Sequence, residues 1–237
     1  MNERAPLPEV LERPPRGRVL LLAPHPDDDV IGAGGTLALH REQGDPVHVL
    51  IVFDGVAGDA ARRFDPREYR ARRHSEARAG GVHLGLSDYE FWDYPEGHEP
   101  SAPELEAAAR RLAERVRALA PDLVYAPWIG EHHVDHHMLA RAARTALGLA
   151  GFRGEAWGYE VWTPLVPARI VDVTPTFEKK RAALCEHKSQ LEEIPGMLHK
   201  ALALGAQRAM YLSDTALYGE AFVPLSPRGE TRVPPMG

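Results

Sequence analysis

Cysteine is almost missing from this chain: one residue, Cys185, among 237. That excludes an intrachain disulfide framework and any Cys-rich zinc or iron-sulfur site, so a bound metal would have to be held by His, Asp and Glu. Long apolar runs are missing too, and none approaches the roughly 18 residues of a membrane span. Positive charge is in the minority, with 28 Lys plus Arg against 34 Asp plus Glu and a formal net charge of -6. No basic stripe is implied, which argues against nucleic acid as a partner. Residues 1–17 carry charges and prolines where a signal peptide would need an apolar stretch, and this reads as a cytoplasmic protein. Hydrophobic residues make up 44% of the chain, ample for the core of a single domain over residues 1–237. Histidine is abundant: there are 12, and His132, His133, His136 and His137 crowd into one short stretch.

Short branched-aliphatic runs alternate with helix-forming stretches. Residues 19–23, 47–53, 122–126, 157–162 and 170–173 read as strands, with a shorter one at 89–92. Helices are expected over 36–43, 65–80, 103–120, 135–147, 174–190 and within 196–211. The 103–120 segment is the clearest, because Leu105, Ala109, Leu112, Val116 and Leu119 recur at helical spacing. Such alternation predicts an α/β fold with a Rossmann-like, mostly parallel sheet flanked by helices. The tail from about 224 to 237, with Pro224, Pro227, Pro234 and Pro235, is expected to be loosely packed.

Two polar clusters fall at predicted strand ends, where ligands of open α/β sheets bind. In the first, His25 is followed by Asp27, Asp28 and Asp29. Adjacent carboxylates repel, and a cation or strong donors must offset them. In the second, His133 and His136 stand at i and i+3 around Asp135, so both can face one site if a helix begins there. Two imidazoles and a carboxylate suit catalytic zinc or non-haem iron(II) equally, and ligand type alone does not choose between them. Gly32, Gly34 and Gly35 lack the spacing of a dinucleotide loop and read as a close-packed turn around the metal site.

The segments 24–29 (PHPDDD), 32–38 (GAGGTLA) and 133–136 (HVDH) resemble the LmbE-like, or PIG-L, family of zinc-dependent N-acetylglucosaminyl deacetylases. The likeness extends through Arg73 and Glu76 to Leu84-Gly85, through 91–97 (FWDYPEG), and through 171–173 (VDV) to 187–190 (HKSQ), so it covers about residues 18–190 in the family's order. It implies a hydrolase removing the N-acetyl group from an N-acetylglucosamine-type substrate, with one Zn2+ per chain held by His25, Asp28 and His136. On the same resemblance Asp27 is the general base, His133 faces the developing oxyanion, and Asp135 orients His133. Arg73 and Trp128 are candidate substrate contacts. The partner implied is a small amino-sugar conjugate, with a homo-oligomer as the assembly suggested by the family. Asp29 departs from the family's usual Glu, and Glu131 stands where some members carry Tyr. Two rival readings are an iron(II) oxygenase on the same ligand set and a non-catalytic sugar- or nucleotide-binding module.

Overall fold

The computed structural model describes residues 6–97 and 99–225. Among them, eight strands form one sheet: β1 (Glu9–Leu11), β2 (Val19–Ala23), β3 (Val47–Phe53), β4 (Tyr89–Tyr94), β5 (Leu123–Pro127), β6 (Glu155–Tyr159), β7 (Arg169–Asp172) and β8 (Gly219–Pro224). Their spatial order is β1-β7-β8-β6-β5-β2-β3-β4. Only β8 runs antiparallel, against β6 and β7, so the expected mostly parallel sheet is what forms.

Period-two alternation divides the core. Leu20, Leu22, Leu50, Val52 and Val124 face α3 (Ala102–Leu119) and α4 (Val134–Ala150). Val19, Leu21, Val49, Ile51 and Tyr125 face the opposite layer of α1 (Asp28–Glu42), α2 (Pro66–Leu84) and α5 (Phe177–Cys185). The shorter α6 (Lys188–Glu193) and α7 (Met197–Arg208) complete that side. No helix is long and apolar enough to cross a membrane among the described residues.

Helix boundaries follow local chemistry where it is strong. Asp65 caps α2 by accepting from the amides of Arg67 and Glu68, with Pro66 in the first turn. Four expectations are corrected. The first helix begins at Asp28, not at 36, and the glycines read as a turn lie inside it. Packing overrides their low propensity, since a Cβ on Gly32 would stand 2.1 Å from the Tyr159 ring and one on Gly35 2.6 Å from Val173. The predicted 174–190 helix breaks between α5 and α6 at Glu186 and the buried His187. The 157–162 strand starts earlier and stops at Tyr159. Finally, Pro224 ends β8 and Leu225 is buried, so the expected loose tail does not begin there; residues 226–237 lie outside the described residues.

Candidate metal centre and its surroundings

Strands β2 and β5 are parallel neighbours, although about a hundred residues separate them. β2 continues into β3 on one flank while β6 lies beyond β5 on the other, which makes the gap past their carboxyl ends the point where the winding of the sheet reverses. β2 releases His25 and the start of α1 there. β5 releases the segment leading to α4, whose N-cap is His133. Positions 25–28 and 131–136 therefore meet.

Three side chains converge there. Asp28 Oδ2 lies 3.1 Å from His25 Nδ1 and 3.2 Å from His136 Nε2, and the two imidazole nitrogens stand 3.3 Å apart. All three residues are buried. A tetrahedral ion with bonds of about 2.0–2.1 Å spaces its ligand atoms about 3.3 Å apart, so the triangle fits a divalent cation. Two facing ring nitrogens beside a carboxylate oxygen need either shared protons or a cation between them.

The electrostatics agree in sign. Burial penalises the imidazolium of His25, yet Asp135, Asp28 and Glu96 outweigh it and raise its pKa well above the usual value. His136, disfavoured by burial but drawn up by Asp28 and Glu131, rises to about 9. Burial works against the charged Asp28, but the His136 charge and hydrogen bonds from both rings hold it well below the carboxylate range. The two imidazoles and the carboxylate thus gather where positive charge is favoured, and a divalent cation would meet that preference as well as shared protons do.

Asp27 is also buried, and it does not join the triangle. Burial pushes its pKa up to about 7 against the pull of Arg73, whose Nη2 is 3.1 Å from Asp27 Oδ2. Asp29 points away and accepts from the Tyr89 hydroxyl at 2.9 Å. His133 is the accessible member, its side chain 41% exposed, with its ring centroid 5.1 Å from that of His25 and 4.7 Å from that of His136. Its Nδ1 accepts from the Asp135 amide at 3.3 Å, which leaves the proton on Nε2. Burial and the charges on His136 and His25 lower its pKa despite Asp135.

Three placements differ from the sequence reading. The Asp135 carboxylate is 3.1 Å from His25 Nε2 and 3.9 Å from His133 Nδ1, so it serves His25 first; it also accepts from the Gly97 amide. Arg73 is buried, and its guanidinium donates to the carbonyls of Gly55 and Pro26 as well as meeting Asp27. Trp128 packs with Leu165, Ile170 and Ala221 and donates its indole N–H to the Thr163 carbonyl at 2.8 Å. Its ring is committed to the fold.

Two carboxylates carried no assigned role in the sequence. Glu96 Oε2 is 3.1 Å from His25 Nε2, and its other oxygen accepts from the Ala57 amide. Glu131 is fully buried, accepts from the amides of Val161, Trp162 and Thr163, and lies 3.6 Å from His136 Nδ1. Glu131 was visible as a charged residue next to the histidines, but nothing in the spacing linked it to positions 161–163. Glu96 fell within the 91–97 segment of the family likeness but gave no sign of its role, because its link to His25 exists only through the neighbouring ends of β2, β3 and β4.

Residues 20–147 match the family described as GlcNAc-PI de-N-acetylase, PIG-L. Over 193 residues the chain is 31% identical to a 1D-myo-inositol 2-acetamido-2-deoxy-alpha-D-glucopyranoside deacetylase of Kineococcus radiotolerans, covering 64% of this chain and 54% of that protein. The chain thus spans about half the length of that relative. It is 30% identical over 192 residues to a 4-oxalmesaconate hydratase of Pseudomonas putida, covering 72% of each. Among solved structures, the N,N'-diacetylchitobiose deacetylase of Pyrococcus horikoshii superposes with a TM-score of 0.73 at 25% identity, over 89% of this chain and 84% of that one.

Proposed function

The chain belongs to the GlcNAc-PI de-N-acetylase (PIG-L) family, and on that footing we propose that it is a zinc-dependent N-deacetylase releasing acetate from an N-acetylglucosamine-type conjugate. The observation that carries this reading is the His25, Asp28 and His136 triangle with the unliganded carboxylate of Asp27 beside it. His25, Asp28 and His136 would hold a zinc ion, which would supply Lewis-acid activation of water and of the amide carbonyl near neutral pH.

The protein's own groups carry the rest. Asp27 takes the proton of the attacking water and passes it to the leaving nitrogen, so the C–N bond breaks to give acetate and a free amine. Burial raises this carboxyl above the usual carboxylate range, the direction a group that takes up and returns a proton at neutral pH requires. Arg73 holds Asp27 in place from behind. His133, protonated on Nε2 and open to solvent, donates to the oxygen that gains charge as the carbonyl becomes tetrahedral. Asp135 and Glu96 accept from His25 Nε2 and fix that ring, as carboxylates commonly do for a ligand histidine.

The hydratase relative favours one rival reading, in which the same residues add water to a carbon-carbon double bond. One experiment separates the two. Protein stripped with a chelator and reloaded with zinc is offered N-acetylglucosamine conjugates and, separately, conjugated dicarboxylic acids. Acetate release that disappears on chelation and returns with zinc supports the deacetylase. Zinc-dependent loss of the conjugated absorbance without any acetate would replace it with the hydratase.

A further inference from the structure

His133 is the least enclosed of the side chains given a part in hydrolysis. It is 41% exposed, and its Nδ1 accepts a long bond, 3.3 Å, from the Asp135 amide. The walls of the site therefore do little to aim this ring. Its direction comes from the backbone, which stands extended at the N-cap of α4 with φ -67° and ψ 130°.

That backbone is tied to the segment after β6. The Trp128 amide donates to the Tyr159 carbonyl at 2.8 Å, and the Trp128 indole donates to the Thr163 carbonyl at 2.8 Å. Glu131 accepts from the amides of Val161, Trp162 and Thr163. The last tie before His133 is the His132 amide, which donates to the Thr163 hydroxyl at 2.9 Å. Val161 packs in the core and Trp162 stands 49% exposed. Thr163 meets the His133 loop with its carbonyl, its amide and its hydroxyl together.

These ties differ in what they secure. Glu131 is buried and satisfies three amides, so losing it disturbs the fold. The bond from His132 lies at the exposed surface, where water takes the place of a missing partner at little cost. Its main effect is directional: it fixes the residue next to His133 where the chain turns into α4. A donor that must meet an oxygen as charge builds on it depends on such direction.

Resting on the deacetylase reading, we propose that Thr163 is a positioning residue: through the His132 amide, its hydroxyl aims the His133 Nε2 proton at the carbonyl oxygen of the amide to be cleaved. Thr163→Val keeps the branched shape and removes the hydroxyl. In the zinc-loaded enzyme it should lower kcat about tenfold, with KM and zinc affinity as in the wild type, and Thr163→Ser should restore most of the rate. On a His133→Ala background the same change should have no further effect, because the ring it aims is gone. Wild-type kcat in Thr163→Val, or an equal loss in both backgrounds, overturns the proposal. Amide hydrogen exchange over residues 129–134 keeps the two readings apart, since it needs no turnover. Faster exchange at His132 in Thr163→Val and Thr163→Ala, recovered in Thr163→Ser, supports the positioning contact even if no acetate is ever released. Exchange at the wild-type rate overturns it and leaves the deacetylase reading standing.

Discussion

α1 carries a buried histidine near each end, and the two are handled in opposite ways. At its carboxyl end, His40 Nδ1 is 2.8 Å from Asp45 Oδ2 and Nε2 is 2.9 Å from the Tyr125 hydroxyl. Each nitrogen has one partner, a neutral ring satisfies both, and burial lowers the pKa against the pull of Asp45. Just before its amino end, His25 has Asp28 and His136 at Nδ1, and both Asp135 and Glu96 at Nε2. A neutral ring has one proton to offer to all of them. The first arrangement is closed and only needs to fold. The second has more acceptors than protons, which is the signature of a place meant to hold positive charge. Burial alone does not distinguish them, since both are buried; the number of partners per nitrogen does.

Substitutions should widen or erase this contrast, and the largest effect is expected at Asp27. Asp27→Asn should lower kcat by about a hundredfold or more while metal content measured by atomic emission stays near one per chain. Full turnover in that variant would remove Asp27 as the base. Next comes Glu131→Gln, which keeps the shape but takes the negative charge from behind His136. Zinc affinity by chelator competition should fall about ten- to a hundredfold, and an affinity equal to wild type would reduce Glu131 to a clamp on residues 161–163.

A third comparison uses acid. His187 is fully buried and its pKa is depressed from 6.5 to about 3, first by burial and then by the charge of Arg73; His40 is shifted in the same direction. Below about pH 6.5 the unfolded chain binds these protons and the folded chain does not, so stability falls with pH, by up to about 1.4 kcal/mol per unit for each such group. For His187 the loss runs down to about pH 3. His187→Asn should therefore flatten the fall in urea midpoint between pH 6.5 and 4, and an equally steep curve would show that other groups govern acid unfolding. The smallest effect is expected at the closed cluster. His40→Leu leaves the buried Tyr125 hydroxyl without its partner and Asp45 with only the Gln43 amide and Arg16, and should cost about 1–3 kcal/mol of stability, with zinc affinity as in the wild type. A matching loss of zinc would mean that the two ends of α1 are not independent.

Much of the site was legible in the sequence. The clusters at 25–29 and 133–136 stand out because carboxylates and imidazoles are dense at two strand ends, and that density survives any error in helix limits; the choice of His25, Asp28 and His136 within them rested on the family resemblance. The sheet was legible as well, since Val19–Ala23, Val47–Phe53 and Leu123–Pro127 are too apolar to lie anywhere but inside. β1 escaped notice because it is three residues long and largely exposed, and β8 because Pro224 and the prolines beyond it read as loop. Arg73 stood as a candidate substrate contact, and only its packing under Gly55 shows that it is buried. Trp162, the exposed tryptophan, was indistinguishable in sequence from Trp128.

By itself the sequence determined residue chemistry and period: which stretches must be buried, which helices have caps, and which side chains could bind a metal. Those properties are local, set by a residue and its near neighbours. The tertiary structure decided which carboxylate serves which histidine. Asp135 turning to His25, Glu131 reaching both His136 and the Trp162 segment, and Glu96 closing over His25 all depend on β5 pairing with β2 and β4 with β3. Pairing between distant strands selects among many possible partners for each polar group, and that selection is made by how the whole apolar core packs.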